Sequence, residues 1–587
     1  MHSSLRLVAL IALAALVSCD TSPLAAVQSD GGDDAADGGD EAPPIVDVTA
    51  PRPIAPVSVS YLTTRRPTLQ WKLAPGSDGA RVEVCSDRPC TQPVTTFDVA
   101  GDHGAPPVDL PPGPVFWRLH GMSSGAAGPT PSVTWELIVP AAAASVATTW
   151  GAVLDANGDG FGDIAVGDSD VFLATQHVYV YLGGPNGPAS SPSSVLSAPA
   201  PATHYAASVA SAGDVDGDGF ADLLVGSPRE DTVYLYRGSP SGYSDSAATV
   251  VGPAKTGFGT NVSAAGDVDA DGYADVVVGA PLRPALPGSK VSGAALVYFG
   301  GPDGLSASRA TELLPRTGSD AQSFGQYVST AGDVDGDGRV DVAVWGGIES
   351  IDPQRIALYL GRDHPFGAAP SAELRYRGAL ASWLGNANLV ACVGDTNGDG
   401  FSDIIVASPV PPGLPFETDH LSLFLGGPGG PPLVPTRRID GPLTILDHFG
   451  VSVAGFDMNG DGLSDISVAS VGYGKPQVAA VVYDGAPAGP TLALQVSATD
   501  PTAMEAREVG GGGDVDGDGY ADLVIGYPSR TTLVGGDADG GGGDAGLLYG
   551  AVDVHRGGPR GVEPRPRWTL LPPDTSAIAY GASLARP

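Results

Sequence analysis

The chain is short of basic residues, and beyond its N-terminus it has neither long apolar segments nor helical periodicity. Its 587 residues include 30 Lys and Arg against 66 Asp and Glu, so the formal net charge is −36. A surface with this excess of negative charge repels nucleic-acid phosphates, so we do not expect a nucleic-acid partner. Because no later apolar run reaches about 20 residues, we predict no membrane-spanning helix in the body of the chain.

Recognisable catalytic motifs are equally scarce. The nine histidines are scattered and form no zinc-binding motif, and no phosphate-binding or dinucleotide-binding loop is present. The segment Gly121–Gly125 matches the G-x-S-x-G pattern of a nucleophile elbow. It lacks the strand-to-helix context of that motif, so we interpret it as a chance match in a glycine-rich chain. We therefore predict that the chain is not an enzyme.

What the chain has in abundance is glycine, proline and short apolar runs. Glycine accounts for 84 residues and proline for 54, while 42% of all residues are hydrophobic. Turn-forming residues between short runs of β-branched side chains are typical of all-β proteins. We therefore predict an all-β fold with a packed core.

The N-terminus has the features of an export signal. Arg6 precedes an apolar segment, Leu7–Val17, that is too short to cross a bilayer. The segment Leu16–Cys19 resembles the lipobox of bacterial lipoproteins, which implies a signal peptide at residues 1–18 and lipidation of Cys19. An ordinary secretory peptide with a chance cysteine is the alternative. The lipobox predicts an extracytoplasmic protein anchored to a membrane, in the periplasm or at the cell surface.

Two segments separate this signal from the rest of the chain. Residues 19–50 are rich in Asp, Gly and Ala and have almost no large apolar side chains, which predicts a disordered acidic tether. Residues 51–140 alternate apolar and polar side chains between turns, as in Leu69–Trp71 and Val115–Leu119, which predicts a small β-sandwich acting as a spacer. These strands resemble fibronectin type III or immunoglobulin-like modules.

Three cysteines lie beyond the signal region. Cys85 and Cys90 flank a short turn, and export permits a disulfide between them, with two unpaired thiols as the alternative. Cys392 has no obvious partner and lies among apolar residues, so we predict a buried free thiol.

From about residue 145 to residue 587 the sequence repeats the element D-x-[DN]-x-D-G-x-x-D. The copies begin at Asp155, Asp214, Asp267, Asp333, Asp395, Asp457 and Asp514. Their mean spacing of about 60 residues suits one four-stranded blade, and seven copies lie within the common range of β-propellers. The last segment, Tyr580–Leu584, looks like the first strand of another repeat. We predict that it pairs with the first blade and closes the ring.

The surroundings of the repeated element are also similar from copy to copy. A strand of small residues precedes the loop and an apolar strand follows it, as around Phe258–Gly259 and Gly279–Pro281. These motifs resemble the FG-GAP repeat of the integrin α-subunit propeller and its bacterial relatives. The resemblance covers about residues 145–587 and implies a seven-bladed propeller there, with a role in binding or adhesion. The Phe-Gly pair, which is Phe258–Gly259 in the third copy, is altered in some other copies, to Tyr205–Ala206 and Leu384–Gly385.

Each nonapeptide has the composition of a calcium-binding loop. Side-chain oxygens at positions 1, 3 and 5 can surround one ion, glycine at position 6 permits the turn, residue 7 can offer its carbonyl, and Asp at position 9 can complete the shell. The predicted ligands, in chain order, are Asp155, Asn157, Asp159, Phe161 and Asp163; Asp214, Asp216, Asp218, Phe220 and Asp222; Asp267, Asp269, Asp271, Tyr273 and Asp275; Asp333, Asp335, Asp337, Arg339 and Asp341; Asp395, Asn397, Asp399, Phe401 and Asp403; Asp457, Asn459, Asp461, Leu463 and Asp465; and Asp514, Asp516, Asp518, Tyr520 and Asp522.

We expect up to seven Ca²⁺ ions, one for each blade loop. Position 12 is apolar in every copy, beginning with Val166, so the loops are not EF-hands, which have Glu there. Magnesium is a poorer match because it prefers to keep several water ligands. The alternative, that Asp-Gly merely forms a hairpin turn, requires one aspartate for each turn and not three or four.

The sequence therefore predicts a calcium-binding, lipid-anchored β-propeller that acts as a binding or adhesion module. The ligand class, protein or glycan, follows from the resemblance. A carbohydrate-acting enzyme that uses the propeller channel and a purely structural envelope protein are the alternatives, because a fold does not determine a function.

Overall fold

The described part of the chain consists of strands and the turns that connect them. The computed structural model describes residues 48–140, 149–150, 153–168, 176–199, 202–284, 292–316, 322–346, 354–362, 366–377, 389–409, 419–441, 447–472, 478–497, 506, 508–534, 546–573 and 579–585. The predicted signal peptide, Cys19, most of the predicted tether and Leu384–Gly385 lie outside these residues. A helix long and apolar enough to span a membrane is not found among the described residues.

The N-terminal part consists of two β-sheets that share one core, which is compatible with the predicted β-sandwich. Its strands are β1 Arg52–Ala55, β2 Ser60–Leu62, β3 Leu69–Lys72, β4 Gly79–Cys85, β5 Pro93–Ala100, β6 His103–Gly104, β7 Gly113–Ser123, β8 Ala126–Pro131, β9 Trp135–Val139 and β10 Thr149–Trp150. One sheet has the order β1-β3-β6, and the other has the order β10-β2-β9-β7-β4-β5 with β8 beside β7.

Large aromatic side chains fill the core of the sandwich. Leu69 and Trp71 on β3 are buried while their neighbours are exposed, as the alternating sequence pattern predicts. The rings of Trp117 and Trp135 meet edge to face at 5.9 Å inside the same core. At the end of β4, Cys85 forms a disulfide with Cys90, with the two Cα atoms 5.1 Å apart.

Seven four-stranded antiparallel sheets follow. Their strands are β11 Ile164–Gly167, β12 His177–Tyr181 and β13 Ser194–Ser197; β14 Ser208–Gly213, β15 Asp222–Ser227, β16 Thr232–Tyr236 and β17 Ala248–Val251; β18 Val262–Gly266, β19 Asp275–Ala280, β20 Ala294–Phe299 and β21 Ser306–Leu313; β22 Tyr327–Gly332, β23 Asp341–Trp345, β24 Gln354–Tyr359 and β25 Ala372–Tyr376; β26 Val390–Gly394, β27 Asp403–Ser408, β28 His420–Phe424 and β29 Arg437–Asp440; β30 Asp447–Phe456, β31 Asp465–Gly472, β32 Val478–Asp484 and β33 Thr491–Ser497; β34 Glu508–Gly513, β35 Asp522–Val534, β36 Gly546–His555 and β37 Trp568–Leu570; and β38 Ser583–Leu584, which completes the first sheet.

Burial changes in a regular way across each sheet. In the second sheet, β14, β15 and β16 are buried along their whole length, whereas β17 is largely exposed. Strands covered on both faces by neighbouring sheets need no alternation of polar and apolar residues, which explains the continuous apolar runs in the sequence. Each sheet is therefore one blade, with its first strand innermost and its fourth strand at the rim.

The seven sheets form a closed ring. The innermost strands β14, β18, β22, β26, β30 and β34 contact one another in turn, and β38 contacts both β34 and β14. In the first sheet, Val166 pairs with Leu584 and Gly167 pairs with Ser583. The prediction that the segment Tyr580–Leu584 closes the ring is confirmed, and so is the all-β propeller predicted from the sequence.

A narrow cavity of about 30 Å³ lies between the innermost strands. Five of these strands line it, with residues that include Ser263, Ser329 and Val453. Cys392 also faces the cavity as a free thiol. The residue as a whole is partly exposed, but burial desolvates its thiol and raises the pKa to about 11, in agreement with the buried free thiol predicted from the sequence.

An aromatic residue at or just before the start of an innermost strand is buried between neighbouring blades. These residues are Tyr205, Phe258, Phe324, Phe449 and Tyr580. The next residue adopts a positive φ, +89° at Gly259 and +88° at Gly581, which glycine tolerates best. Ala206 makes the same turn at +59°. The first blade thus takes its aromatic–glycine pair from the end of the chain.

The sandwich packs directly onto the propeller. The Tyr61 hydroxyl donates to the carbonyl of Gly160 at 2.5 Å, in the first repeated loop. Arg88 donates to the carbonyls of Gly217 at 3.3 Å and Gly272 at 2.7 Å, in the second and third loops. Residues 46–587 form one compact unit. These polar contacts hold the sandwich against the loops, and its role as a spacer stays a prediction.

Replacing Leu584 by alanine should weaken the closure of the ring. Leu584 is 2% exposed, and truncation of a buried leucine lowers the free energy of unfolding by about 2–5 kcal/mol. The control Val251→Ala removes a side chain that is 71% exposed and should change this free energy by less than about 0.5 kcal/mol. Urea denaturation measures both values, and equal destabilisation would contradict the role of Leu584.

Candidate metal centres

The repeated nonapeptide folds around its first aspartate. In the second loop, Asp214 accepts hydrogen bonds from the backbone N–H groups of Gly217 and Gly219, both at 2.6 Å. Gly219 occupies position 6 and has a φ of +93°. The bond from position 6 to position 1 occurs in all seven loops, at 2.6–3.0 Å. The predicted sharp turn at this glycine is confirmed.

Four loops bring three carboxylates together. In each group, one oxygen from each of three aspartates lies within 4.8 Å of the others. The groups are Asp214, Asp216 and Asp218; Asp267, Asp269 and Asp271; Asp333, Asp335 and Asp341; and Asp514, Asp516 and Asp522. Anionic oxygens at these separations are a donor set that suits a hard divalent cation.

The other three loops have asparagine at position 3. The side-chain nitrogen of Asn157 donates to Asp159 at 2.9 Å, and that of Asn397 donates to Asp399 at 3.0 Å. These two bonds hold the third and fifth side chains together, whereas the side-chain nitrogen of Asn459 donates to the ninth residue, Asp465, at 3.3 Å. Rotation of the amide by half a turn would present its oxygen in place of its nitrogen.

Each loop with four aspartates is paired with an arginine. The closest pairs are Arg237–Asp216 at 2.5 Å, Arg309–Asp271 at 4.0 Å, Arg339–Asp337 at 3.2 Å and Arg556–Asp516 at 2.5 Å. Four carboxylates and one guanidinium leave a formal charge of −3, which is also the charge of three carboxylates in an asparagine loop. By this count, the predicted ligand side chains and their arginines together carry the same formal net charge in all seven loops.

The ninth aspartate has a structural role that the sequence analysis missed. Asp222 accepts from the N–H of Val215 at 3.1 Å through one oxygen and from the N–H of Gly238 at 2.9 Å through the other. Gly238 lies just after β16, so the carboxylate ties the loop to the third strand of its blade. All seven copies make this pair of bonds. Metal ligation by this residue stays a prediction.

The seventh side chain covers the preceding loop. A Cβ atom on Gly158 would lie 3.1 Å from the Phe220 ring, and one on Gly460 would lie 2.6 Å from the Tyr520 ring. The sequence pattern gave a role only to the carbonyl of this residue. In six copies the side chain is aromatic or leucine and packs on the glycine at position 4; the exception is Arg339, which follows a loop with Ala270 at that position. Ligation by the carbonyl stays a prediction.

Backbone hydrogen bonds also join each loop to the preceding one. The N–H at position 8 donates to the carbonyl at position 1, as from Ala221 to Asp155 at 2.9 Å. The bond from Gly162 to Asp514, at 2.8 Å, joins the first loop to the seventh. The seven bonds measure 2.8–3.3 Å and form a closed circle. All seven loops therefore lie together at one end of the propeller.

Burial raises the pKa of many loop aspartates. Desolvation, opposed by backbone hydrogen bonds, raises the pKa of Asp457 to about 6, of Asp514 to about 7 and of Asp465 to about 8. The pKa of Asp155 rises to about 7 through desolvation first and the charge of Asp159 second. A divalent cation among these carboxylates would stabilise their ionised form.

Comparisons with known proteins agree with the repeats described above. Residues 155–225, 214–278 and 333–406 match the family model of the FG-GAP-like repeat. Integrin alpha-4 of Xenopus laevis is 32% identical over 152 residues, which are 24% of this chain and 14% of that protein. Integrin alpha-PS3 of Drosophila melanogaster is 38% identical over 92 residues, 15% of this chain and 8% of that protein. The chain therefore carries FG-GAP-like repeats and spans a small part of the length of these integrins.

Two solved structures illustrate a more distant similarity. A protein from Lactobacillus plantarum has a TM-score of 0.40 and 13% identity, covering 72% of this chain and 99% of that chain. The Dos1 propeller has a TM-score of 0.35 and 9% identity, covering 81% and 93% respectively. These scores carry no argument about function, and the propeller is defined here by its own strand order.

Without calcium, the protein should lose stability as the pH rises from about 4 to about 8. A carboxyl whose pKa is raised on folding binds its proton more tightly in the folded state, so its contribution is fully present below the unfolded pKa and is lost by the time the pH reaches the folded pKa. For Asp457, Asp514 and Asp465 the loss begins near the ordinary pKa of 3.8 and ends at about 6, 7 and 8. Thermal melting in chelator across this range measures the effect. Saturating calcium should remove it, and a melting temperature that rises with pH in chelator would contradict this reading.

Replacing Asp403 by asparagine should destabilise the fold both with calcium and without it. The amide nitrogen would meet the backbone N–H of Gly426 or Thr396, which now donate to Asp403 at 2.9 and 3.0 Å. The expected loss is about 1–3 kcal/mol in the free energy of unfolding. The matched control Asp399→Asn, at the exposed fifth position of the same loop, should lower stability only when calcium is present. Denaturation in calcium and in chelator compares them, and equal losses in chelator would contradict the proposed role of position 9.

Proposed function

We propose that this chain, whose propeller contains FG-GAP-like repeats, is a calcium-binding, lipid-anchored extracytoplasmic protein that binds protein or glycan ligands in adhesion or surface interaction. The observation that carries the proposal is the convergence of three carboxylates within 4.8 Å in four of the loops. The similarity to integrin alpha chains suggests a ligand-binding module. The lipid anchor rests on the lipobox-like sequence that ends at Cys19.

Calcium is the cation that suits these loops best. The donors are oxygens alone, they come from a short loop, and Ca²⁺ accepts six to eight such ligands in irregular geometry. In the second loop, Asp214, Asp216 and Asp218 would hold the ion. Its charge would offset the repulsion among these carboxylates and stiffen the end of the blade.

The end of the propeller away from the calcium loops is the face at which we propose ligand binding. The sandwich covers part of the loop end through Tyr61 and Arg88. Because adjacent strands are antiparallel, the turn between the second and third strands of a blade lies at the opposite end, as in residues 228–231. We assign ligand binding to that end.

The cavity between the innermost strands bears on the alternative of channel catalysis. Its volume is about 30 Å³, which is less than a sugar ring requires. Small side chains such as Ser263 and Ala454 line it. A carbohydrate-acting enzyme that used this channel would need a wider space.

Calcium should bind to the mature protein with up to seven equivalents and raise its melting temperature. Ligands that bind only the folded state stabilise it in proportion to the logarithm of their concentration over the dissociation constant. Titration calorimetry and melting in calcium and in chelator are the measurements. The matched variant Asp214→Asn should lose one site. Equal melting temperatures with and without calcium, together with no heat of binding, would contradict the proposal that the loops bind calcium.

A glycan array and a panel of matrix proteins separate the three functional classes. Saturable binding in calcium, lost in chelator and without product formation, supports the binding module. Product formation that is abolished by Ser263→Trp in the channel would support the enzyme. The absence of both activities, together with an envelope defect in a deletion strain, would support the structural alternative.

A further inference from the structure

Glu136 of the sandwich lies fully buried against the second loop of the propeller. It belongs to β9 and has an exposed fraction of 0%. One of its oxygens, Oε2, accepts a hydrogen bond from Arg88 at 2.7 Å. The carboxylate also lies within hydrogen-bonding reach of the Asp214 carboxylate, the first residue of the loop. Two buried carboxylates that face each other repel unless a cation or a proton lies between them.

Two buried oxygens at this place have no hydrogen-bond partner among the described residues. They are Oε1 of Glu136 and Oδ1 of Asp216. Asp216 also lies within hydrogen-bonding reach of Asp214, so both unpartnered oxygens belong to carboxyls that contact the same side chain. Leaving a buried polar atom unpaired costs about 1–3 kcal/mol, and more for a charged group. A cation bound beside Asp214, or a proton shared with it, would remove this cost.

The charges around the second loop are suited to a divalent cation. Glu136 adds a fifth carboxylate to the four of the loop, and Arg88 adds a second guanidinium beside Arg237. The formal charge is therefore −3, as in the other loops. The Arg88 guanidinium lies 4.1 Å from the centre of the Tyr273 ring, which fixes it between the second and third loops. Arg88 balances the charge of Glu136 but leaves Oε1 unpaired.

We propose that Glu136 donates its Oε1 atom to the cation of the second loop, so that one ion joins the sandwich to the propeller. This inference rests on the calcium binding proposed above. The ligand class is a hard divalent cation, Ca²⁺, held by oxygens from two domains. Docking of the sandwich and filling of the second site then stabilise each other, because each completes the contacts of the other.

The substitution Glu136→Gln tests the shared site. The amide keeps the size of the side chain, and its nitrogen can donate to Asp214, so the variant should melt at a higher temperature than wild type in chelator. In calcium, titration calorimetry should show one site weakened by about tenfold or more, with the others unchanged. The control Glu83→Gln removes a carboxylate that pairs with Arg118 at 2.7 Å within the sandwich, and it should leave calcium binding unchanged.

Hydrogen exchange provides a second measurement that reports on docking. The N–H of Val59 donates to the Glu136 carbonyl at 2.8 Å, and the N–H of Glu136 donates to Ser58 at 3.1 Å. Calcium should slow the exchange of both amides in wild type and much less in Glu136→Gln. The loop amide of Gly400, far along the ring in the fifth loop, should respond to calcium equally in both proteins.

The outcomes separate this proposal from calcium binding in general. If Glu136→Gln binds calcium with the same number and affinity of sites, Glu136 is not a ligand while the loops remain calcium sites. A proton shared by Glu136 and Asp214 in place of a cation predicts that same result. If wild type binds no calcium, both proposals fall. If Glu136→Gln does not fold, Glu136→Asp is the second variant. Its side chain is shorter by one methylene, so it should weaken calcium binding at one site. The control Glu83→Asp should leave calcium binding at every site unchanged.

Discussion

The circle of hydrogen bonds that runs from loop to loop is the constraint on which the rest of this propeller end depends. Each N–H at position 8 reaches the carbonyl at position 1 of the preceding blade, and the bond from Gly162 to Asp514 returns the circle to its start. No loop can therefore open without disturbing a neighbour. The seventh side chain adds a packing contact to the same joint, as Phe220 does over Gly158. The seven loops, which differ in sequence, are therefore joined into one ring of loops, called the collar below.

The collar also explains why acidic residues are concentrated there. Backbone amides from the turn converge on the first and ninth aspartates, so these carboxylates organise the polypeptide before any ion arrives. The same convergence brings negative charges together, and arginines such as Arg237 and Arg556 reduce the excess where a fourth carboxylate is present. The arrangement stabilises the turn and creates a place for a cation at the same time, through the same oxygens.

Much of this architecture could be predicted from the sequence because it repeats. The spacing of the loops gives the blade length, the apolar runs give strands covered on both faces, and Tyr580–Leu584 gives the closing strand. Contacts between distant positions could not be predicted in this way. The tie from Asp222 to Gly238 depends on how the third strand returns to the loop, and the approach of Glu136 to Asp214 depends on how two domains pack. Neither contact has a fixed spacing in the chain, so neither leaves a periodic signal.

The position of Arg88 gives the single disulfide a wider consequence. Cys85 and Cys90 enclose a short hairpin with Arg88 at its turn, and Asp87 holds the far side by accepting from the N–H of Gln92 at 2.7 Å. The guanidinium is thus presented to two propeller loops by a covalently closed strap. The disulfide therefore shortens the segment that carries Arg88, and so it limits where the guanidinium can lie relative to the two loops.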